Sequence, residues 1–560
     1  MTAFCGKSLL ASASVLALVS MSSLATPLPA GNIAAIAYLT GSSYSLTAGS
    51  WGQYNYLYPL AYSSTSPAGG GLFERVTSCT VDAGTCVQDA SGAYWQRTDT
   101  GTVFNAGWWG ASSPGDGSAN TAAFIACGAA SANGGRCEPP AVVGTYNLAG
   151  PITVASAQSD YEFDGHFINF NQQTANTPCI KLLQAGSTTD SHNFKIGKYR
   201  CAFASAGTSS YALMVSASGA GNGFYQVTTD HIWSQGGAGT IGIDPASSTN
   251  ISLWHFSADH ISGMGGPSVA TLNLYLAGKF GGPGVQARDI YQQGGGLVVK
   301  INATADCSFD DVERNSGTGT TIFYGESVQN CDLKNIKSEA DTLNTNYVGV
   351  VELGASSNVR IQGLQLYNDI VNVPNFFCMV KLDVGTRAVI AQVDISAPTT
   401  MTWTSGTARL VCPDGSGASA ALDYPNNITD THVSDWDGVN TLIYKTAVPF
   451  FAYCASVTAY SHCSPKFDVP PGYRIVTMTI CPNSAVPSGT TTVYAAKNDT
   501  PSLYNYAHLD FTSSSPACQT LNIGFLREPD YAVGDYFFGR TDAQGFASGV
   551  SFYYTAAKIQ

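Results

Sequence analysis

Three segments of the chain align without gaps: HIWSQGG at 231–237, HISGMGG at 260–266 and DIYQQGG at 289–295, their starts 29 residues apart twice in succession. The pattern continues with altered spacing through Asp311-Val312-Glu313-Arg314-Asn315, Asn335-Ile336-Lys337-Ser338-Glu339 and Gly363-Leu364-Gln365-Leu366-Tyr367. Each unit has a short apolar-alternating run, a polar residue ahead of Ile, Val or Leu, and often a glycine-rich turn. A period of roughly 20–30 residues built of strands and turns is the mark of a solenoid, whose units bury their apolar faces only by stacking. No amphipathic stretch separates the units, which disfavours a leucine-rich or βα array. What remains is a parallel β-helix with one coil per repeat. Cys307 and Cys331 test the register, since each lies five residues before its own Val312 or Ile336. Stacked strands are about 4.8 Å apart, inside the Cα separation of roughly 4.4–6.8 Å that a disulfide tolerates.

Composition agrees with an all-β chain. Of 560 residues, 44% are hydrophobic and 11% aromatic, too many for a disordered protein. Only 11% are charged, with 25 Lys and Arg against 38 Asp and Glu, a balance of −13. Polarity is carried instead by 59 glycines together with Ser, Thr and Asn, which suits short strands and tight turns. No basic stripe is present to neutralise a phosphate backbone, so no nucleic-acid partner is expected.

Residues 1–25 read as a secretory signal: Lys7, the apolar run from Leu9 to Val19, then small residues and Ser23-Leu24-Ala25. The run is shorter than the ~20 residues that span a bilayer, so a secreted chain, extracellular or periplasmic, without membrane insertion is expected. Beyond Cys5 the chain has fourteen cysteines, an even number that fits an oxidising compartment. Pairing neighbours in order would give Cys79–Cys86, Cys127–Cys137, Cys179–Cys201, Cys307–Cys331, Cys378–Cys412, Cys454–Cys463 and Cys481–Cys518. Close Cys/His spacings of the metal-binding kind do not occur, so neither a metal nor another cofactor is expected.

Upstream of the repeats lies Trp108-Trp109-Gly110-Ala111, then Gly115-Asp116-Gly117 and Thr121-Ala122-Ala123-Phe124. Gly134-Gly135-Arg136-Cys137-Glu138-Pro139-Pro140 and Gly144-Thr145-Tyr146 follow. This resembles the lead-in signature of the pectate-lyase-like superfamily, which includes polygalacturonase-related glycosidases and phage tailspike depolymerases. GGGLF at 69–73 with Tyr94-Trp95-Gln96-Arg97 also resembles the neck ahead of many tailspike β-helices. The resemblance is clear over 69–170, diffuse to about 400, and absent after about 420. It implies a right-handed parallel β-helix, a polysaccharide partner and a homotrimer. Residues 118–132 are expected to form a helix over the open first coil, covering unpaired strand edges, with Ser118 or Asn120 as N-cap. The expected organisation is a signal at 1–25, a neck or head region at 26–105, the β-helix at 106–420 and a C-terminal β-sandwich-like domain at 421–560. The last rests on runs such as RIVTMTI, TTTVYAA and GVSFYYTA.

With Ile232, Ile261, Ile290 and Val312 pointing inward, alternation places their neighbours outward unless a bend intervenes. One column then reads His231, His260, Asp289, Asp311, Asn335, and the other Trp233, Ser262, Tyr291, Glu313, Lys337. Aromatic faces beside acids are what a sugar-cleaving groove requires, flat surfaces to hold a pyranose and carboxylates to move protons. Retaining glycosidases keep their carboxyls about 5–5.5 Å apart and inverting ones about 6.5–9.5 Å. Asp289 and Asp311 lie on adjacent coils, whereas Asp259 with Glu313, or Glu313 with Glu339, read as wider pairs. The expected acid/base set is Asp289 with Asp311 or Glu313, with His260 polarising the site. Trp233 and Tyr291 would stack on sugar, with Arg314, Lys337 and Glu339 as further substrate contacts.

Polar columns also ladder simply to satisfy bends, and Asp before an apolar residue is a frequent bend residue; Glu313, a poor turn former, is the better single candidate. The polygalacturonase set N-T-D, D-D, G-H-G and R-I-K is not reproduced, beyond a faint echo in Asp310-Asp311, which makes ordinary pectin hydrolysis doubtful. The expectation is therefore a secreted glycoside hydrolase acting on a neutral or mixed polysaccharide. A lyase using Arg288, Arg314, Lys334 or Lys337, and a purely glycan-binding adhesive β-helix, are the alternatives.

Overall fold

The computed structural model describes residues 33–392 with short breaks at 133, 141–143, 156–158, 185–190, 218–222, 248–250, 277–279, 320, 346–347 and 384–385. Beyond 392 it describes 401–413, 419–422, 433–434, 442–444, 448–454, 467–468, 473–482, 490–497, 505–512, 517–522, 536–541 and 550–558. The expected signal at 1–25 and the pairing of Cys454 with Cys463 lie outside the described residues.

The central part is a parallel β-helix, its coils stacked as two long parallel sheets. Its register follows the repeat: Ile232 pairs with Ile261, Ile261 with Ile290, Ile290 with Val312, Val312 with Ile336 and Ile336 with Leu364. All six are fully buried. A second stack on the other sheet runs Leu213, Ile241, Leu272, Val299, Phe323, Val351, Val380 and Val411. Apolar side chains from both sheets therefore fill one continuous interior, which is the main source of stability for a chain with so few charges.

The coils bend at residues in the left-handed region, and one column of them runs through the repeat motif. Gly223–Gln235 bends at His231 (φ 49°), Ser257–Met264 at His260 (50°), Gln286–Gln293 at Asp289 (51°), Ser308–Asn315 at Asp311 (56°) and Gln329–Glu339 at Asn335 (52°). Asp, Asn and His are the side chains that tolerate positive φ best, and Gly363 takes the same corner one coil further on with φ 72°. A second corner column carries Asp306, Asn330 and Asn358. There Asn330 Nδ2 donates to Asp306 Oδ1 at 3.2 Å and Asn358 Nδ2 to Asn330 Oδ1 at 2.7 Å. The recurrent polar residue before each apolar one in the sequence is thus a bend residue.

The helix over the first coil spans Gly117–Ala130. Its N-cap is Asp116, whose carboxylate accepts from Ala119 N at 2.9 Å, not Ser118 or Asn120. Asn120 is buried instead and its Oδ1 accepts from Ser112 N at 2.8 Å. Phe124 drives the helix onto the coil, edge-on to Tyr146 and Phe170 at centroid distances of 5.5 and 5.2 Å. Cys127–Cys137 fastens it, and six of the seven expected disulfides are present, among them Cys307–Cys331 with Cα atoms 4.5 Å apart.

Ahead of the helix, strands between Ile33 and Arg97 form a small separate sheet packed around Leu57, Phe73 and Trp95. Arg97 clasps it to the lead-in segment. Its fully buried guanidinium lies 4.6 Å from the Phe73 ring centre and 4.5 Å from that of Trp108, and donates to the carbonyls of Gly69 and Gly70. After the coils, two four-stranded antiparallel sheets follow, one built on Tyr473–Pro482 and Val550–Lys558, the other on Thr490–Lys497 and Tyr536–Thr541. No helix among the described residues is long and apolar enough to cross a membrane.

One polar network sits inside the stack. Asp341 accepts from Ser338 Oγ at 2.7 Å and from Gly317 N, and Asp369 Oδ1 accepts from Asp341 N at 2.9 Å. Asp369 is fully buried with Oδ2 unpartnered, and burial pushes its carboxyl from 3.8 up to about 7. Folding therefore takes up a proton at Asp369 between those values. The stability it contributes is complete below pH about 4 and is lost as the pH rises through about 7, an effect of up to roughly 4 kcal/mol. We expect the melting temperature by calorimetry to fall between pH 5 and pH 8 (~5 and ~8, bracketing the upper part of that window), and Asp369→Asn to shrink that fall. An unchanged pH profile in the variant would rule the assignment out.

Candidate functional site

Outward residues of the run that follows the first corner column form the most chemically loaded surface described. In register across the coils they read Arg200, Trp233, Ser262, Tyr291, Glu313, Lys337 and Gln365. Two residues further along each strand a second row reads Gln293, Asn315, Glu339 and Tyr367. The period-2 alternation of each strand and the in-register stacking put residues from 291 to 367 on one patch.

At its centre Lys337 Nζ lies 3.3 Å from Glu313 Oε2 and 2.8 Å from Glu339 Oε2. Lys337 thus donates to both carboxyls and draws them together. Glu313 sits on the coil adjacent to Glu339, so the pair is close and not the wider pair that the sequence suggested. The two carboxyls diverge. Partial burial first, and then the neighbouring Glu339, lift Glu313 above the usual carboxylate range against the pull of Lys337. The hydrogen bond from Lys337 holds Glu339 below it. Lys337 is kept charged, chiefly by its hydrogen bond to Glu339. Tyr291 flanks Glu313 and Tyr367 flanks Glu339, the latter exposed with its ring centre 6.0 Å from Lys337 Nζ.

The nine residues singled out from the sequence fall into three groups. Tyr291, Glu313, Lys337 and Glu339 share the patch just described, with Trp233 two coils away in the same row. His260, Asp289 and Asp311 stand in the corner column. His260 Nε2 faces Asp289 Oδ2 at 3.1 Å, and Asp311 is raised by burial and then by Asp289 and Asp310. Arg314 does not reach the surface at all. It has no exposed area, its Nε donates to Asp341 Oδ2 at 2.6 Å, and Nη1 donates to the carbonyls of Gly296 and Thr321. The physical reason is alternation: Glu313 faces out, so Arg314 faces in, stacked between Gln292 and Ser338.

Three further groups escaped the sequence reading. Phe167, half exposed, tilts against Trp233 at 6.2 Å, and the Arg200 guanidinium lies 4.4 Å from the Trp233 ring centre. The stacking row (Arg200 over Trp233 in register) could have been extended upstream from the same 3-residue motif had Tyr199 been recognised as the counterpart of Ile232. Asp230 stands beside the corner column, with Asp259 as its register partner. On the other sheet, Tyr275 donates to Glu326 Oε2 at 2.7 Å beneath Lys300; no repeat motif marks those strands.

No family model matches the chain, and no curated protein matches it. Among solved structures the chain is similar to the gp42 tailspike of Acinetobacter phage vb_AbaP_AS12, at 11% identity and a TM-score of 0.43 over 90% of this chain and 96% of that one. It is also similar to the enzymatically active domain of tailspike protein 2 of bacteriophage CBA120, at 11% identity and a TM-score of 0.36, covering 89% and 86%. A third is Pantoea stewartii WceF, a glycan biofilm modifying enzyme with a tailspike-like parallel β-helix, at 8% identity and a TM-score of 0.33, covering 93% and 70%. Identity and superposition are both low, so the chemistry of this chain is read from its own residues.

Because Arg314 neutralises a buried carboxylate, Arg314→Met should destabilise the protein by about 3–5 kcal/mol by leaving Asp341 unpaired. Adding Asp341→Leu should recover part of the loss. Denaturant titration of the three proteins decides it, and a single variant as stable as wild type would contradict the buried pairing.

Proposed function

We propose that this chain is a carbohydrate-active enzyme that hydrolyses glycosidic bonds in an extracellular or cell-surface polysaccharide at the Glu313–Glu339 pair. The observation that carries the reading is that two carboxyls on one outward patch, flanked by tyrosines, meet on a single ammonium; their environments push them to opposite sides of their ordinary range. Such divergence assigns acid and base within a pair. Glu313 is the proton donor to the leaving glycosidic oxygen, and Glu339, held ionised, acts on the anomeric carbon as nucleophile. Both carboxyls reach one Nζ, at 3.3 and 2.8 Å, which keeps them closer than the roughly 6.5–9.5 Å spacing of inverting enzymes and compatible with the roughly 5–5.5 Å of retaining ones. Lys337 fixes both side chains, and Tyr291 and Tyr367 offer ring faces for the sugars on either side of the cleaved bond.

The lyase alternative needs a neutral base beside the α-proton of a uronic acid. Lys337 is a poor one, because its two carboxylate partners favour its charged form. Tyr291 is no better, since burial and then Glu313 raise its phenol.

Incubation with a panel of bacterial surface polysaccharides should release reducing ends without an unsaturated-uronate absorbance. Glu313→Gln and Glu339→Gln should each lower kcat by at least roughly 100-fold, the scale of general acid–base catalysis, while Asp289→Asn retains activity. The sign of the pH dependence follows from the shifts. Rate falls on the acid side as Glu339 is protonated, below the usual carboxylate range, and on the alkaline side as Glu313 ionises, above it. Full cleavage by both Gln variants would eliminate this site, and binding of the glycan without cleavage by wild type would leave an adhesive role.

A further inference from the structure

The first corner column holds a second chemical cluster, two coils away from Glu313. Register places His231 directly over His260 and Asp230 over Asp259. The two imidazole rings are parallel within 9° at a centroid distance of 4.3 Å. His260 Nε2 faces Asp289 Oδ2 at 3.1 Å, so the natural tautomer puts the proton on Nε2 and a lone pair on Nδ1. That lone pair points at oxygens: Asp259 Oδ1 at 2.9 Å and Asp230 Oδ1 at 3.8 Å. His260 Nδ1 and Asp259 Oδ1 are both buried and lack a hydrogen-bond partner. His231 Nδ1 is hydrogen-bonded to the same Asp230 Oδ1 at 2.5 Å.

Electron-pair donors packed this closely repel one another unless a proton or a metal cation sits between them. Arg288 takes only the outer oxygen of Asp259 and leaves Oδ1 facing inward. Asp230, His231 and His260 each offer one ligand atom, all within 4.8 Å of one another. With metal–nitrogen and metal–oxygen bonds of about 2.0–2.2 Å, ligands on one tetrahedral ion stand about 3.3–3.5 Å apart. An ion would replace the proton between His231 Nδ1 and Asp230 Oδ1, opening their 2.5 Å contact, while His260 Nδ1 closes from 3.8 Å. Asp289 behind His260 supplies the carboxylate that orients a metal-bound imidazole through its other nitrogen. Sequence spacing hides the set, because its histidines are 29 residues apart and meet only through the stacking.

We propose that Asp230, His231 and His260, with Asp259 Oδ1 as a fourth donor, form a binding site for a divalent transition-metal ion of the zinc class. Two imidazoles with carboxylates select such an ion over calcium or magnesium, which take all-oxygen sets. The ion would tie adjacent coils together at their corner, and the site is independent of the glycosidic chemistry proposed above.

The test is isothermal titration of the full chain, stripped with chelator, with zinc chloride near neutral pH, alongside the melting temperature with and without zinc. One zinc per chain and a rise in melting temperature are expected, undiminished by excess magnesium. Cobalt should bind in zinc's place and give the visible absorption of a tetrahedral nitrogen–oxygen site. His231→Asn and His260→Asn keep a residue that tolerates the left-handed corner, and each should weaken zinc binding at least ten-fold. His192→Asn, outside the cluster, should leave it unchanged. Failure of wild type to bind zinc, or undiminished binding by the folded His231→Asn/His260→Asn double variant, overturns the proposal. Unchanged circular dichroism of the variants separates lost ligands from lost fold.

Discussion

Everything this molecule does at its surface depends on the vertical register of one coil over the next. Parallel pairing fixes that register for the backbone, and the left-handed corners fix it for the side chains, since a residue slipped by one position would carry an Ile or Val into positive φ. β-Branched residues are the least tolerant of that conformation, whereas His231, Asp289 or Asn335 accept it. The corners and the buried Ile232–Leu364 stack thus enforce the same alignment by different physics, one steric and one hydrophobic. Residues remote in sequence become neighbours, and a short motif repeated along the chain becomes a row across the surface.

That coupling explains what could be read from the sequence. The repeat, the alternation within it and the spacing of Cys307 and Cys331 are all local patterns, and they lead directly to the β-helix and its inward stack. Glu313 and Lys337 were legible as neighbours for the same reason. Arg314 shows that alternation outranks charge: a residue next to an outward Glu on a strand has to face in, whatever it carries. Its partner Asp341 lies beyond the next two strands, Phe323–Glu326 and Gln329–Glu339, past the reach of any periodic pattern. Asp116 was passed over as N-cap although it immediately precedes the helix, and Phe167 and Asp230 lie outside the motif that anchored the alignment.

The two charged clusters show how one scaffold sets different chemistries side by side. At Glu313, Lys337 and Glu339 a shared ammonium and unequal burial push two like groups in opposite directions. At Asp230, His231 and His260 the same one-coil separation brings nitrogen and oxygen donors together with no cationic side chain between the imidazoles. The interior answers to other rules. There Arg314, Asp341 and Asp369 satisfy one another away from water, and the cost appears as an unpaired oxygen on Asp369.

The corner residues also reveal how the solenoid absorbs changes of length. Their spacing is 29 residues from His231 to His260 and again to Asp289, then 22 to Asp311, 24 to Asn335 and 28 to Gly363, yet the strands on either side of them stay in register. The surplus residues fall in the turns that join the two sheets, on the way out and on the way back, where chain can be added at small entropic cost. Lineages of such a chain can therefore remodel the rim beside a reactive row, and so the shape of what is admitted to it, by lengthening or trimming those turns while every rung keeps its height.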